Sequence, residues 1–259
     1  MNKKVSVIIP TYNGEVYIQD CLNSVLNQTY KNIEVIVVDD DSKDNTREII
    51  QANYLNFVKF VSNKVNLGLI KSVNNCFSHC TGDFVIVLGQ DDMMINDRIE
   101  KQVHFMEQNP DALGSFGNSY YIINNEKTNR KIINKETLKS FLFNSFNNSF
   151  FLYCCRVWYN SNSAIFKLDA VVKAGGYSEH MRNFGESFLF FKLGLMGPVR
   201  YQNEVLSYYR IHETNIFGSK SKAEKKQTSE KIFSLFFEKE EFKYKPLYKF
   251  INAIFSTLK

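Results

Sequence analysis

Short apolar runs alternate with amphipathic stretches over about the first hundred residues of the chain. The runs are almost continuously apolar, which is typical of strands that are covered on both faces of a parallel sheet. They predict four strands, at residues 5–10, 33–39, 57–62 and 84–89. The stretches between them predict helices at residues 15–27 and 69–80, and a helix that begins near Asp44. This alternation predicts an α/β fold with a doubly wound, mostly parallel sheet, in which ligands bind beyond the carboxyl ends of the strands.

The pattern is less regular after Asp92. It predicts a helix at residues 97–108, a strand around 113–123, polar Asn-rich sequence to about residue 135, and helices at 135–144 and 186–196. From residue 220 onward the sequence is predicted to be helical and amphipathic. Since neither a repeat nor a Pro/Gly-rich linker divides the chain, we expect one domain at residues 1–218, with halves 1–92 and 93–218, and a helical segment at 219–259.

Length and composition narrow the class of protein. Of the 259 residues, 44% are hydrophobic and 23% are charged, which is ordinary for a globular protein. The N-terminus lacks the apolar region of a signal peptide, and no run approaches the roughly 20 apolar residues of a membrane span. The five cysteines have no CxxC spacing, which favours reduced thiols. We therefore expect the protein in the cytoplasm, or on a membrane surface that faces it.

Polar residues follow each of the four predicted strands. The loops read PTYNGE after the first strand, DDDSKD after the second, NLG and then Lys71 after the third, and GQDD after the fourth. Taken singly, residues such as Asn13 and Asp44 also fit a structural role as turns or helix caps. Four such loops at one edge of a sheet favour a ligand site. The adjacent Asp91 and Asp92 favour a divalent cation, because Mg²⁺ or Mn²⁺ takes oxygen ligands and shares them with a substrate diphosphate.

Several motifs follow one another along residues 3–215. They are PTYNGE, VVDDDSKDNT, NLGL with KSVNN, TGDFVIVLGQDD, AGGYSE, FGES and YYRIHETN. Their order resembles that of the inverting glycosyltransferases of family 2. The resemblance implies the A-type glycosyltransferase fold, with a nucleotide-binding half at residues 1–92 and an acceptor half at 93–218. It also implies transfer from a nucleotide sugar, often a UDP sugar, to a hydroxyl of a glycan or lipid-linked acceptor in bacterial cell-surface polysaccharide or lipopolysaccharide synthesis.

The same resemblance implies roles for individual residues, with Mn²⁺ or Mg²⁺ as the cofactor. The expected donor-binding residues are Pro10, Thr11, Tyr12, Asn13, Glu15, Asn66, Gly68, Lys71, Gln90, Asp91 and Arg210, with Asp39 or Asp40 bonded to the base. The expected metal ligands are Asp91, Asp92 and His212. Glu186 is the expected catalytic base, which deprotonates the attacking hydroxyl.

Two positions depart from the family pattern. Gly89 stands where the first Asp of the Asp-x-Asp motif is expected, so contacts to the ribose are in question while Asp91 retains the metal role. Ser187 stands where the usual catalytic Asp is expected, and serine cannot accept a proton as a carboxylate does. The base is then Glu186, or else Glu179 or Asp169 substitutes for it.

Other functions fit the same residues less well. A nucleotidyltransferase needs a Gly-rich, basic loop after the first strand, and a dinucleotide-dependent oxidoreductase needs GxGxxG there, but PTYNGE provides neither. A non-catalytic sugar-nucleotide-binding protein remains the second hypothesis because of Gly89 and Ser187. Nucleic-acid binding is not expected, because the basic residues are not interleaved with aromatic residues on one strand face.

The sequence of two segments is compatible with more than one structural role. The aromatic residues between 141 and 153 fit either a core or an acceptor groove. Residues 243–259 alternate apolar and basic positions, which fits peripheral contact with the inner face of the cell membrane. The same residues also fit a helix that packs on the domain, or on a second subunit in a homodimer.

Overall fold

The computed structural model describes residues 3–133 and 161–213 of the chain. Within them, one sheet contains β1 (Val5–Thr11), β2 (Ile33–Asp39), β3 (Lys59–Ser62), β4 (Phe84–Val87), β5 (Met93–Met94), β6 (Gly114–Ile123), β7 (Glu126–Lys131), β8 (Ile165–Lys167) and β9 (Val199–Ile211). The α-helices are α1 (Ile18–Leu26), α2 (Thr46–Asn53), α3 (Leu69–Phe77), α4 (Arg98–Gln108), α5 (Leu168–Lys173) and α6 (Gly185–Met196). Short 3₁₀ turns occur at Ser161–Ser163 and Glu179–Phe184.

The strands lie in the order β3-β2-β1-β4-β8-β6-β9-β5, with β7 beside β6. β1 pairs in parallel with β2 and β4, and β2 pairs in parallel with β3, so the carboxyl ends of these four strands meet at one edge. β8 is antiparallel to both β4 and β6 and joins this half of the sheet to β6, which runs parallel to β9. β5 pairs with β9, and this pairing brings the loop after β4 beside the last residues of β9.

Apolar side chains cover both faces of the parallel half. In β1, Val7 and Ile9 belong to a buried cluster that includes α1 and α4, whereas Ile8 belongs to a second cluster that includes α3 and α6. All three side chains are fully buried. Successive side chains of a strand point to opposite faces, so a strand packed on both faces is mostly apolar. Most of the polar side chains therefore gather where the strands end.

The predicted fold is confirmed: the protein is α/β with a mostly parallel central sheet. All four predicted strands of the first half form, and β2 has the predicted bounds. The predicted helices of this half form too, but they are shorter than predicted: α1 begins at Ile18 and α3 ends at Phe77. The helices at 97–108 and 186–196 are also present, each with its start displaced by one residue.

The second half differs more from the prediction. The polar sequence before residue 135 carries no predicted element, yet Glu126–Lys131 forms the edge strand β7. Asn124 and Asn125 make the tight turn into it, both with positive φ, at 50° and 65°. Asn tolerates this backbone region, and two such residues form the usual turn between paired antiparallel strands. The sequence pattern also did not predict the short strands β5 and β8 or the long strand β9.

Some expectations lie outside the described residues. They are the helix at residues 135–144, the aromatic cluster at 141–153, the boundary near residue 218 and the C-terminal segment at 219–259. In the two described ranges, no helix is both long enough and apolar enough to cross a membrane.

Candidate functional site

The loop after β1 is bonded to the loop after β2. The amide of Asn13 donates to Ser42 Oγ at 2.9 Å, and the amide of Lys43 donates to Asn13 Oδ1 at 2.8 Å. Glu15 Oε2 accepts from the backbone amide and the side-chain amide of Asn45, at 3.0 and 2.7 Å. Asn13 and Glu15 therefore shape the rim of the site through bonds within the protein. Their direct contact with a nucleotide stays a prediction.

Gln90, in the loop after β4, fixes the backbone at the end of β1. Its Oε1 accepts from the hydroxyl of Thr11 and from the amide of Tyr12 (3.0 Å), and its Nε2 donates to the carbonyl of Tyr12 (3.1 Å). Pro10 and Thr11 are buried, whereas Tyr12 is 45% exposed. The flat ring of Tyr12 is therefore the part of this loop that is open to a ligand.

The carboxylate of Asp40 accepts hydrogen bonds from the loop after β3. Oδ1 accepts from the side-chain amide of Asn63 and from the amide of Leu67, each at 2.8 Å, and Oδ2 accepts from the amide of Gly68 at 2.8 Å. A carboxylate bonded to backbone amides at the start of a helix is a structural anchor. Asp40 thus positions the turn that opens α3.

Asp39 is the exception among the buried carboxylates of this edge. It is fully buried at the end of β2, and its Oδ2 accepts from Arg47 Nε and from the amide of Ser42 at 3.3 Å. Its Oδ1 is buried too and has no hydrogen-bond partner among the described residues. A buried polar atom without a partner is costly, so such an atom in a native site needs an explanation such as a ligand.

Asn66 and Gly68 lie in the loop that Asp40 anchors, and Lys71 follows in the first turn of α3. Asn66 Oδ1 accepts from the amide of Gly68 at 3.1 Å, and Gly68 has a φ of +82° that favours glycine. Lys71 is about half exposed, with Nζ 4.0 Å from Glu179 Oε2. Its ammonium group is accessible to solvent on the side of the loop.

Asp91 and His212 form a contact between the loop after β4 and the end of β9. Asp91 Oδ2 and His212 Nε2 are 2.8 Å apart, and both side chains are partly exposed. The ring of Tyr17 lies 5.1 Å from the ring of His212, centroid to centroid. Asp91 and His212, which the sequence predicted as ligands of one metal ion, are therefore in contact.

Arg210 lies next to this contact and is almost completely buried. Its guanidinium lies 4.7 Å from the ring centroid of Tyr17, and Nε donates to the carbonyl of Asp91 at 3.0 Å. The two terminal nitrogens donate to Asn125 and Asp20, at 2.8 and 2.9 Å. These bonds make Arg210 a positioning residue, and its predicted contact with a diphosphate stays a prediction.

Asp92 turns away from the pair formed by Asp91 and His212. Its buried carboxylate accepts from the amide of Arg210 at 3.0 Å. Burial raises the pKa of Asp92 well above its ordinary value, and the charge of Asp91 acts in the same direction. Over residues 3–133 and 161–213, no three His, Cys, Asp or Glu side chains are grouped as a metal site, so the predicted trio is not assembled.

Asp91 and His212 still fit a divalent ion as part of a donor set. Mg²⁺ is commonly held by one or two protein carboxylates together with substrate phosphates and waters. Carboxylate oxygens suit Mg²⁺ and Mn²⁺, whereas imidazole is the more usual ligand of later first-row ions such as Zn²⁺. Asp91 therefore supplies the expected oxygen ligand, and His212 Nε2, 2.8 Å from it, is a second donor atom beside it.

Glu186 lies near the start of α6 in a small cavity between the sheet and the helices. The cavity is lined by Phe77, Val85, Val87, Ser161, Ala164, Phe166, Val171, Tyr177, Glu186 and Leu189. The hydroxyl of Tyr177 donates to Glu186 Oε1 at 3.3 Å, and Ser161 lines the same cavity. Burial raises the pKa of Glu186 to about 7, although the hydroxyls of Tyr177 and Ser161 act to lower it. A carboxyl group with such a pKa is suited to exchange a proton near neutral pH.

The two alternative bases have different surroundings. Asp169 Oδ1 accepts from the amide of Ala170 at 2.7 Å in the first turn of α5. Glu179 is about half exposed and lies near Lys71. Neither carboxylate shares the enclosed surroundings of Glu186, which favours Glu186 among the three.

Several side chains that organise the site were not predicted. Arg47 bonds to Asp39, and Tyr17 lies between Arg210 and His212, but no local pattern distinguishes either residue. By contrast, Arg98 and Gln102 could have been identified from the sequence. These long polar residues lie four positions apart on the apolar face of the helix at 97–108, where polar residues need partners.

Comparisons with known proteins bear on this arrangement. The family model described as "Glycosyl transferase family 2" matches residues 6–165. The chain belongs to glycosyl transferase family 2. Among its relatives within the family, the UDP-Glc:alpha-D-GlcNAc-diphosphoundecaprenol beta-1,3-glucosyltransferase WfgD of Escherichia coli is 36% identical over 129 residues, which are 50% of each protein. The chain spans about two fifths to half the length of the first curated relatives it matches.

Solved structures resemble this family 2 member over nearly its whole length. TarS of S. aureus, in complex with UDP-GlcNAc, is similar with a TM-score of 0.72 and 19% identity over 97% of this chain and 71% of that one. The mannosyltransferase PcManGT from Pyrobaculum calidifontis, in complex with GDP-Man and Mn²⁺, is similar with a TM-score of 0.71 and 18% identity over 98% of this chain and 70% of that one. At these identities the likeness shows the fold, and the predicted A-type glycosyltransferase fold is confirmed.

Proposed function

We propose that this family 2 member transfers a sugar from a UDP-linked donor to a hydroxyl of a glycan or lipid-linked acceptor. The observation that carries the proposal is the buried Oδ1 of Asp39, which has no partner among the described residues and lies at the edge where the donor motifs meet. Arg47 holds the other oxygen, so Asp39 offers one fixed acceptor. The ring N3–H of uracil is a matching donor, whereas N3 of cytosine is an acceptor and is repelled.

The donor diphosphate would lie beside Asp91 and His212. These two residues would hold Mn²⁺ or Mg²⁺, which when bound neutralises charge on the diphosphate as it leaves. Arg210 stacks on Tyr17 and donates to the carbonyl of Asp91, so in this proposal it keeps the pair in place. The PcManGT complex contains Mn²⁺, which supports a divalent ion in this proposal. At 18% identity, the similarity to PcManGT extends to the fold alone.

On the acceptor side, Glu186 is proposed as the general base. It takes the proton of the acceptor hydroxyl while the hydroxyl oxygen forms a bond to the anomeric carbon. The bond from that carbon to the diphosphate breaks, and its electron pair leaves with UDP. Attack opposite to the leaving group inverts the anomeric centre, as the family resemblance implies. The raised pKa of Glu186, about 7, makes the carboxylate a stronger base than a solvated one.

The acceptor class is taken from the relatives. WfgD is named as an enzyme that adds glucose to a GlcNAc-diphosphoundecaprenol, and this name supports a lipid-linked acceptor and a place in polysaccharide synthesis. The complexes of TarS with UDP and with UDP-GlcNAc support a UDP-linked donor. The chain covers half of WfgD, so the acceptor of the whole protein is part of the proposal.

The test is release of UDP from UDP-Glc and UDP-GlcNAc in the presence of Mn²⁺ and a lipid-linked GlcNAc-diphosphate acceptor. We expect wild-type turnover, and a loss of about 10²- to 10⁴-fold in kcat for Glu186→Gln, because the variant lacks the general base. Glu179→Gln is the matched control and keeps its turnover. UDP affinity, measured by calorimetry, stays within a few-fold in both variants.

Three results would contradict the proposal. Wild-type protein that binds UDP but releases none with any acceptor is a non-catalytic binding protein, the alternative that Gly89 and Ser187 favour. Full turnover by Glu186→Gln would remove Glu186 as the base. Consumption of UTP and a sugar phosphate would indicate a nucleotidyltransferase instead.

A further inference from the structure

One 3₁₀ turn, Ser161–Ser163, lies between the two sides of the proposed reaction. On the acceptor side, Ser161 lines the same cavity as Glu186. On the donor side, the side-chain amide of Asn162 donates to the carbonyl of Tyr208 at 3.4 Å, and Tyr208 pairs with Met93, next to Asp92. The turn therefore packs between Glu186 and the strands that adjoin the loop of Asp91 and Asp92.

The turn is held by two side chains of α4. Arg98 Nη1 donates to the carbonyl of Asn162 at 2.6 Å and Nη2 donates to the carbonyl of Ala164 at 3.0 Å. Gln102 Nε2 donates to the carbonyl between them, that of Ser163, at 2.9 Å. Gln102 Oε1 accepts from Arg98 Nε at 2.9 Å, so the two side chains act as one unit. We call Arg98 and Gln102 the α4 clamp.

The clamp contains a buried charge whose stability cost needs an explanation. Arg98 and Gln102 are both fully buried, and burial lowers the pKa of Arg98 to about 9. In the part of the chain that the structure describes, no carboxylate lies within ion-pair distance of Arg98, and the buried Asp92 is the charge that acts on it, in the direction that raises its pKa. A buried arginine is often no more stabilising than an apolar residue of similar volume, so core packing alone does not require it. Its rigid fork of donors does match carbonyls that must be held in one geometry.

We propose that Arg98 and Gln102 are positioning residues for the transfer reaction. Through the turn at Ser161–Ser163, they fix the carboxylate of Glu186 relative to the Asp91 and Asp92 loop. The chain order supports this coupling, because α4 follows that loop directly through β5. The proposal rests on the proposed function, in which Glu186 accepts the proton and Asp91 lies at the diphosphate.

Two variants test the coupling. Arg98→Lys keeps the charge but loses the fork that bonds two carbonyls at once. Ser161→Ala keeps the clamp intact and removes only the hydroxyl that lines the cavity of Glu186. His104→Ala, an exposed position on α4, is the control. We expect Arg98→Lys and Ser161→Ala to lower kcat about tenfold or more, while the Kd for UDP changes less than about threefold, because Asp39 and its loop are untouched.

A second readout does not depend on turnover. The titration of Glu186 is followed by ¹³C NMR of labelled glutamate carboxyls, assigned by the signal that Glu186→Gln removes. Tyr177 is the titratable group bonded to Glu186, and it is unchanged in all three variants. We expect the midpoint to move to higher pH by about half a unit or more in Ser161→Ala and in Arg98→Lys, because the Ser161 hydroxyl, which acts to lower the pKa of Glu186, is lost or displaced. His104→Ala keeps the wild-type midpoint.

The outcomes separate the two proposals. An unchanged midpoint in folded Arg98→Lys overturns the positioning role, whether or not transfer is seen. Equal losses of kcat and UDP affinity, in step with lowered Tm, would make the clamp a stability feature and also overturn it. If wild type shows no transfer but the midpoints shift as expected, the proposed function fails and the coupling of the clamp to Glu186 stands.

Discussion

Asp39 and Asp40 are adjacent, chemically identical residues whose surroundings give them different tasks. The side-chain hydrogen bonds of Asp40 go to the loop that starts α3, through Asn63, Leu67 and Gly68. Asp39 is anchored by Arg47 at one oxygen, and its other oxygen is buried without a partner among the described residues. Sequence alone left both residues as candidates for the hydrogen bond to the nucleotide base. The contacts favour Asp39, since only its carboxylate has an oxygen without a partner among the described residues.

The matched variants Asp39→Asn and Asp40→Asn test this division. Asp40→Asn cannot accept all three bonds, so we expect it to lower the free energy of unfolding by about 1–3 kcal/mol. We expect Asp39→Asn to weaken UDP binding at least about tenfold, because its amide can present a donor to the uracil N3–H. Calorimetry and denaturant unfolding measure the two effects. Full UDP affinity in Asp39→Asn, with a large loss in a well-folded Asp40→Asn, would reverse the assignment.

Glu186 should make stability and activity depend on pH in opposite directions. Its pKa in the folded protein is about 7, against an ordinary 4.5, so the folded state binds this proton more tightly than the unfolded chain does. The stabilisation is therefore complete below about pH 4.5 and is lost as the pH rises through about 7, by at most about 3 kcal/mol. Transfer needs the ionised carboxylate, so kcat/KM should rise over the same interval.

The measurement compares wild type with Glu186→Gln in denaturant unfolding between about pH 5 and 8. The glutamine side chain does not titrate, so the difference in free energy of unfolding between the two proteins should change with pH in the direction given above. Parallel pH profiles for the two proteins would show that Glu186 titrates near its ordinary pKa, and its role as a tuned base would be lost.

At the scale of elements, the parallel half was predictable because its inner strands, β1, β2 and β4, are covered on both faces and are therefore mostly apolar. Val7, Ile8 and Ile9 are buried in two different clusters, and this requirement is visible in the sequence as an unbroken apolar run. The same rule predicted that the polar loops meet at one edge. Asp91 and His212, which are far apart in sequence, do meet at 2.8 Å, as the family motifs implied.

The remaining elements were not predictable, for physical reasons that particular residues show. β9 mixes buried and half-exposed positions over Val199–Ile211, so it has no clear period. β8 has three residues and is stabilised by its neighbours on both sides. The bond from Arg98 to Asn162 joins residues 64 positions apart. Such contacts depend on tertiary geometry, which no local pattern records.

At the scale of the whole molecule, one sheet carries both sides of the proposed reaction. The parallel half presents Asp39 and the loop of Asp91, while Glu186 belongs to α6 in the second half. β8 joins the two halves within the sheet, and the turn at Ser161–Ser163 joins them at the site. Donor and acceptor groups are thereby fixed relative to one another by the described fold, without a separate domain.

The strand ends are proposed to form a site that binds uracil selectively through Asp39. The most direct measurement is the affinity of wild-type protein for UDP and for CDP, by calorimetry with and without Mn²⁺. We predict that UDP binds at least about tenfold more tightly than CDP, because Asp39 accepts from the N3–H that cytosine lacks, and that binding weakens when Mn²⁺ is removed. Equal affinities for the two nucleotides, or no binding of UDP, would contradict the account.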